Sequence, residues 1–146
     1  MPRADREIII DAPIDQVFGV IVDYERYPEF LPEMQAVEVL SRVENIVVVR
    51  FDLELIMRIS YTLRLEEQAP DSVSWNLERA KMMTVNEGQW HLESTGEDQT
   101  RARYGIDIKL RGLIPKSVST RLAGETLPST LGRFKKRVES LRSRGG

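Results

Sequence analysis

Residues 47–65 read VVVRFDLELIMRISYTLRL, and apolar side chains occupy every second position of this stretch. These alternate positions are Val47, Val49, Phe51, Leu53, Leu55, Met57, Ile59, Tyr61, Leu63 and Leu65. Charged or hydroxyl side chains fill most of the positions between them. Because a period of two sends neighbouring side chains to opposite faces of a strand, the stretch predicts antiparallel strands with one buried face and one face in water.

The same alternation continues toward the C-terminus, interrupted by short turn sequences. Residues 69–72 (APDS) and 95–98 (TGED) contain the Pro, Gly, Asp and Ser residues typical of tight turns. The inward-facing residues of the strands between and after these turns are Val73, Trp75, Leu77, Asn86, Gly88, Trp90, Leu92, Thr100, Ala102, Tyr104, Ile106, Ile108 and Leu110. Such short connections join antiparallel neighbours. We therefore expect a meander of about six strands from Val37 onward, with residues 3–10 as a seventh strand.

Two short helices are predicted between the first strand and the meander. Pro13 suits a first helical turn, and Ile14, Val17, Phe18 and Ile21 then recur at helical spacing to form one apolar stripe. Residues 23–32 read DYERYPEFLP, in which two prolines permit only short helical turns.

A long helix is predicted after residues 112–115 (GLIP), with its apolar positions at Val118, Leu122, Leu127, Leu131, Phe134, Val138 and Leu141. Pro128 removes one backbone donor and collides with the preceding turn, so we expect a kink or break at 124–128. Gly124, Pro128 and Gly132 share one face of this helix. That strip of small residues is interpreted either as a place where the helix approaches the sheet closely or leaves room for a ligand, or as a packing adjustment around the kink. Residues 143–146 are expected to form a frayed tail.

The expected fold class is α+β: one domain over residues 1–146, with a curved antiparallel sheet of about seven strands wrapped around the long C-terminal helix. A strongly curved sheet cannot touch a straight helix along its whole length, so a cavity between them is one expectation. The inward aromatic residues are equally compatible with a filled core. Composition leaves these two alternatives open.

The chain has 146 residues, a formal net charge of −2 and no cysteine. The absence of cysteine excludes disulfide scaffolds, thiol catalysis, Fe–S clusters and zinc sites built with cysteine. From Gly112 onward, eight Lys and Arg residues face two Glu residues, a local balance of +6 that leaves −8 on the first 111 residues. This basic segment is interpreted as a solvated helix face or as a surface for an anionic partner such as a membrane or RNA. The charged N-terminus and short apolar runs predict a soluble, cytoplasmic protein.

Four sequence stretches resemble one protein family. They are residues 10–18 (IDAPIDQVF), 23–32 (DYERYPEFLP), 88–90 (GQW) and 112–115 (GLIP). Together with the order of predicted elements, they resemble the START/Bet v 1-like (SRPBCC) superfamily, in its polyketide cyclase/dehydrase and coenzyme Q-binding branch. This resemblance implies the helix-grip fold and a hydrophobic cavity under the C-terminal helix, with the aromatic-proline segment near the mouth.

The ligand-binding residues expected for this cavity are Tyr27, Phe30, Phe51, Tyr61, Trp75, Asn86, Trp90, Tyr104, Val118, Leu122, Leu127 and Leu131. The first functional hypothesis is binding or carriage of a quinone-, lipid- or polyketide-like molecule. The second is a polyketide aromatase/cyclase or dehydratase. The third is a ribosome-associated regulator, which the resemblance also allows. A fold of this kind does not choose among them.

Candidate groups for acid–base chemistry are few. Tyr61, Tyr104 and Glu125 are the candidate catalytic residues, with Asn86 and Ser94 as further inward polar groups. The one histidine, His91, has outward parity and is expected on the solvent face. We expect no metal and no cofactor. The expected partners are a hydrophobic small molecule and, through the basic helix, transient contact with an anionic membrane surface at the inner face of the membrane; acidity of the body argues against nucleic acid.

Overall fold

The structure, a computed structural model, describes residues 3–112, 114–122 and 126–145. The strands are β1 (Arg3–Ile10), β2 (Met34–Val43), β3 (Ile46–Glu54), β4 (Arg58–Gln68), β5 (Ser72–Ala80), β6 (Met83–Gly96) and β7 (Gln99–Leu110). The helices are α1 (Ile14–Ile21), a 3-10 helix (Tyr24–Glu29), α2 (Lys116–Arg121) and α3 (Leu127–Gly145).

All seven strands form one antiparallel sheet in the order β1-β7-β6-β5-β4-β3-β2. Strands β2 to β7 are consecutive neighbours, and β1 pairs with the free side of β7. Short turns at 69–71 and 97–98 separate the strands where the sequence predicts them. The predicted meander, its N-terminal seventh strand and the α+β helix-grip fold are therefore confirmed.

The predicted inward row of β3 is buried. Val47, Val49, Phe51 and Leu53 are each at most 5% exposed, whereas the residues between them are more accessible. Strand β7 shows the same alternation, and the outward His91 of β6 is exposed as predicted. Alternation along the strands thus gives the sheet one wet face and one face that lies toward the helices.

Pairing between β5 and β6 is incomplete. Only Ser72–Trp75 of β5 pair with Gly88–His91 of β6. Beyond that point, residues 76–80 remain paired with β4 and residues 83–87 with β7, but not with each other. The two strands therefore diverge toward the hairpin that connects them.

The two short helices follow β1 as predicted. α1 buries Val17, Phe18 and Ile21, and it packs against α3. The 3-10 helix buries Tyr24 and Tyr27 and contacts β2. These contacts place the predicted aromatic segment beside the C-terminal helix.

The region of the predicted long helix contains α2, which ends at Arg121, and α3, which begins at Leu127, and the backbone of Leu122 and Thr126 is π-helical. The expected break at 124–128 overlaps residues 123–125, which lie outside the described residues, so the break stays a prediction there. At the other end, the helical backbone of α3 continues to Gly145, and fraying of residues 143–146 stays a prediction.

Basic side chains of α3 contact acidic and carbonyl groups within the protein. The Lys135 ammonium lies 2.6 Å from the Glu139 carboxylate and donates to the Ile9 carbonyl at 2.7 Å. Arg142 pairs with Asp98 at 2.7 Å. Arg137 pairs with Glu29 of the 3-10 helix. These contacts tie α3 to β1, to the β6–β7 turn and to the 3-10 helix.

Gly132 does not bring α3 close to the sheet, so that interpretation is wrong for this residue. It is exposed, and no atom lies within 4 Å of the position of an added Cβ. Gly124 and the side chain of Pro128 lie outside the described part of the structure.

Replacing Gly132 with alanine is expected to raise the free energy of unfolding by about 0.5–1 kcal/mol. Alanine loses less backbone entropy on folding, the site has room for a methyl group, and Gly132 does not have a positive φ. Thermal or urea unfolding measures the change. A loss of stability would show that a neighbouring group closes over this face of α3.

Candidate functional site

A partly enclosed cavity of about 110 Å³ lies between the inner face of the sheet, the 3-10 helix and α3. Its walls are mostly aromatic and aliphatic, with contributions from the 3-10 helix, the six strands β2 to β7 and α3. The aliphatic lining residues are Ile21, Leu31, Leu53, Leu63, Leu65, Val73, Ile106, Ile108 and Leu122. A cavity with such walls favours an apolar occupant.

Aromatic rings form a continuous arc along one side of the cavity. Its centre is Trp90, whose ring centroid lies 4.7 Å from that of Tyr104 and 5.0 Å from that of Phe134. On one side of Trp90 the arc continues from Tyr104 to Trp75, whose ring centroids are 6.0 Å apart. On the other side it continues from Phe134 through Tyr27 and Phe51 to Tyr61, with 5.3–6.2 Å between successive ring centroids. The rings therefore pack on one another and leave the remaining space open. Both sequence alternatives hold in part, since the core is aromatic and it contains a cavity.

Three polar side chains of the sheet face this space. The Trp75 indole donates from Nε1 to Oδ1 of Asn86 at 3.1 Å, across the point where β5 and β6 diverge. Within the described residues, no hydrogen bond joins the hydroxyl of Tyr61 or Tyr104 to another group. These two phenols can donate to an occupant of the cavity.

Burial raises the pKa of the Tyr61 and Tyr104 phenols well above the ordinary value. Burial also raises the pKa of Tyr27, whose hydroxyl donates to the Ile21 carbonyl at the end of α1. For Tyr24, burial and a 2.7 Å hydrogen bond to the Glu67 carboxylate both raise the phenol pKa. All of these groups are neutral at pH 7 and act as hydrogen-bond donors rather than as bases.

The charged lining residues within the described part of the chain are Glu33 and Arg133. Arg133 lies on the face of α3 that also carries Phe134, and one turn earlier stands Thr130, which lines the same cavity. Sequence reasoning counted Arg133 only as part of the basic segment. Arg133 follows Thr126 by seven residues and Thr130 by three, a spacing that places all three on one face of a helix. The expected break at 124–128 left open which face of the helix is turned toward the sheet, so this spacing was not used.

The structure brings together eight of the twelve predicted binding residues around the cavity. These are Tyr27, Phe51, Tyr61, Trp75, Asn86, Trp90, Tyr104 and Leu122.

Phe30, Val118 and Leu131 do not line the cavity. Val118 and Leu131 are buried in the core, whereas Phe30 lies in a surface groove beside α1 and α3, with the Arg137 guanidinium 5.3 Å from its ring centroid. The side chain of Leu127 lies outside the described residues.

The candidate groups for acid–base chemistry are separated by the structure. Tyr61 and Tyr104 reach the cavity, and Glu125 lies outside the described residues. Ser94 keeps the inward register, paired with Thr100, but it is exposed, and its hydroxyl donates to the Gly96 carbonyl at 3.0 Å. In the described ranges, no group of three His, Asp or Glu residues is placed to hold a metal ion. Likewise, no described helix is long and apolar enough to cross a bilayer.

Comparison with known proteins gives relatives of the same fold. A curated relative, the ribosome association toxin RatA of Pseudomonas aeruginosa, is 24% identical over 93% of this chain and 94% of its own. The Zhui aromatase/cyclase of a Streptomyces species superposes with a TM-score of 0.85 at 17% identity, over 99% of this chain and 98% of that one. A START superfamily protein of Mycobacterium smegmatis gives a TM-score of 0.81 at 22% identity, over 95% and 98%.

These structural neighbours show that the chain has the same fold as these proteins. The model of one family, described as polyketide cyclase/dehydrase and lipid transport, matches residues 10–135, which include both walls of the cavity. The chain therefore belongs to the polyketide cyclase/dehydrase and lipid transport family.

Proposed function

We propose that this protein binds a hydrophobic small molecule, quinone-, lipid- or polyketide-like, in the cavity between the sheet and α3. The observation that carries the proposal is the arc of aromatic rings around a cavity of about 110 Å³. That volume is close to the roughly 150 Å³ of an apolar cavity that takes up benzene. The cavity therefore suits one ring or a short acyl segment, with the rest of a longer ligand extending through the open side.

The state of the polar groups disfavours general-base catalysis. The Tyr61 and Tyr104 phenols are protonated at neutral pH, as tyrosines ordinarily are, and burial raises their pKa further, so neither acts as a base there. The one histidine of the chain is on the outer face of β6. Phenols in this state can hold a ligand carbonyl by hydrogen bonding.

Tryptophan fluorescence tests the proposal directly. The chain has two tryptophans, and Trp75 and Trp90 both line the cavity. Titration with 1,4-naphthoquinone is expected to quench their emission saturably, with one quinone per chain. Absence of cysteine removes the usual thiol addition to the quinone. Quenching that stays linear and never saturates would show collisions only, and the proposal would fail.

A cavity-filling variant supplies the matched control. Leu63 lines the cavity from β4, and Leu63→Phe adds a ring to that space. We expect the quinone affinity to fall at least about fivefold while the melting temperature shows that the variant is folded. The exposed Lys136→Gln variant is expected to bind as the wild type does. Equal affinity in all three proteins would place the quinone elsewhere.

A cyclase or dehydratase remains the alternative, and the unpartnered hydroxyl of Tyr104 is the observation that favours it. In that case Tyr104 would polarise a substrate carbonyl, and Tyr104→Phe would abolish turnover of a polyketide-like substrate while binding persisted. Unchanged turnover in Tyr104→Phe would remove this role. The proposal does not use Lys135, Arg137 or Arg142 for docking on an anionic surface, because these residues contact groups inside the protein.

A further inference from the structure

Arg133 projects from α3 toward the apolar cavity. Thr126, Thr130, Arg133 and Phe134 all line the cavity, and their spacing of i, i+4, i+7 and i+8 places them on one helical face. Arg133 is half-buried at this wall. A permanently charged guanidinium is thus placed beside the aromatic arc.

The Arg133 guanidinium differs from the basic groups around it on α3 because it has no partner among the described residues. Its Nε is buried, and no hydrogen bond or ion pair joins the side chain to any residue in the described part of the protein. On the same helix, Lys135, Arg137 and Arg142 each bind a carboxylate. A guanidinium has five N–H donors and no acceptor, so its missing partner must be an acceptor. Leaving a buried donor unpaired costs free energy, which an occupant of the cavity could recover.

No polar side chain of the described cavity wall accepts a hydrogen bond from Arg133. The hydroxyls of Thr130, Tyr61 and Tyr104 line the cavity but do not bond to this group. Glu33 is the one anionic residue of the described wall, and no N···O contact within 4 Å joins its carboxylate to Arg133. The guanidinium therefore has no anionic group in contact within the described wall.

We infer that the ligand of this cavity carries an oxyanion, a carboxylate or a phosphate, which Arg133 binds. This inference rests on the proposed function and narrows it from any apolar molecule to an anionic amphiphile. The aromatic arc contacts the ring or chain of such a ligand, and the guanidinium forms a charge-assisted hydrogen bond with its oxyanion.

Two ring compounds of nearly the same shape, one anionic and one neutral, distinguish recognition of charge from recognition of shape. Binding of 4-ethylbenzoate and of the neutral 4-ethylbenzamide is measured by isothermal titration calorimetry on the wild type, Arg133→Gln and the exposed control Lys136→Gln. Arg133→Gln is expected to weaken benzoate binding about 10- to 100-fold and to change amide binding less than about twofold. Lys136→Gln should change neither. Arg133→Lys, which keeps the charge, should retain part of the benzoate affinity.

A third compound identifies the oxyanion. If 4-ethylphenyl phosphate binds the wild type more tightly than 4-ethylbenzoate and shows the larger loss in Arg133→Gln, the ligand is a phosphate ester. The reverse order identifies a carboxylate. Either result supports the inference.

Other outcomes would overturn it. Equal losses of benzoate and amide binding in Arg133→Gln, or no loss of either, would show that Arg133 does not recognise charge, while the cavity would still bind ligands. If neither compound binds and naphthoquinone quenching does not saturate, the proposed function fails together with the inference. A double-mutant cycle covers the remaining case. If Arg133→Gln and Glu33→Gln lower the melting temperature equally and the double variant adds nothing, Glu33 is the partner and the inference is wrong.

Discussion

Replacing Gly88 with alanine is expected to lower the free energy of unfolding by at least about 3 kcal/mol. The added Cβ would lie 2.3 Å from the Gly105 carbonyl oxygen and 2.7 Å from Cζ2 of Trp75. The first of these atoms is backbone of the paired strand β7, so relief requires the strands to separate. The second belongs to the indole that lies against β6 and forms part of the cavity wall.

Urea or thermal unfolding of Gly88→Ala measures this loss, which corresponds to a drop in melting temperature of roughly 10 °C for a chain of this size. Gly105→Ala is the matched control, because its Cβ would approach only the movable Asp5 carboxylate, at 2.9 Å. We expect the control to lose less than about 1 kcal/mol. Equal stability of the two variants would mean that Trp75 does not pack on Gly88 in solution.

Alkaline unfolding is expected to be unusually steep, because all four tyrosines of the chain are buried and have raised phenol pKa values. In the unfolded chain these phenols ionise near pH 10, whereas in the folded protein they hold their protons to higher pH. Above pH 10 the folded state thus binds more protons than the unfolded state. Its stability is fully present below pH 10 and falls by up to about 5 kcal/mol per pH unit above it.

Phenolate absorbance near 295 nm and far-ultraviolet circular dichroism, followed together, check this expectation. The phenolate signal should stay low above pH 10 and then appear in one step with the loss of strand signal, between about pH 11 and 12.5. The Tyr61→Phe variant should show a shallower dependence of stability on pH. Ionisation of two or more tyrosines near pH 10, while the strand signal persists, would contradict the burial of these phenols.

The sheet was predictable from sequence because apolar side chains cover its inner face without interruption and its outer face is exposed to solvent. Val47, Phe51 and Tyr61 obey a period of two, and turn residues separate the strands, so strand number, order and facing follow from local pattern. Ser94 keeps this register, paired with Thr100, but it lies near the end of β6 and is exposed, which the alternation alone does not reveal.

The site was predictable only in part. The aromatic wall followed from strand parity, which fixes the direction of side chains such as Trp90 and Tyr104. The wall formed by α3 could not be predicted in the same way, because the face of α3 that lies toward the cavity depends on the backbone path at Pro128. Leu131 was consequently placed at the cavity and Arg133 was not, and Phe30 was placed there because the aromatic-proline segment was expected near the mouth. The cavity volume depends on the packing angles of seven rings, which no pattern of residue types determines.

The divergence of β5 from β6 has a mechanical consequence. The sheet has two parts, β2–β5 and β6–β7–β1. They are connected by four paired residues on each strand, Ser72–Trp75 of β5 and Gly88–His91 of β6. Backbone amides of residues 76–80 and 83–87 that point toward each other lack a strand partner. These amides should exchange with solvent hydrogen sooner than those of the continuous β6–β7 pairing. Separation of these two parts at the β5–β6 junction would move Trp75 away from Asn86 and enlarge the cavity, while the strand pairing within each part stayed intact. A ligand that separated these two parts of the sheet would therefore have more room than the present cavity of about 110 Å³.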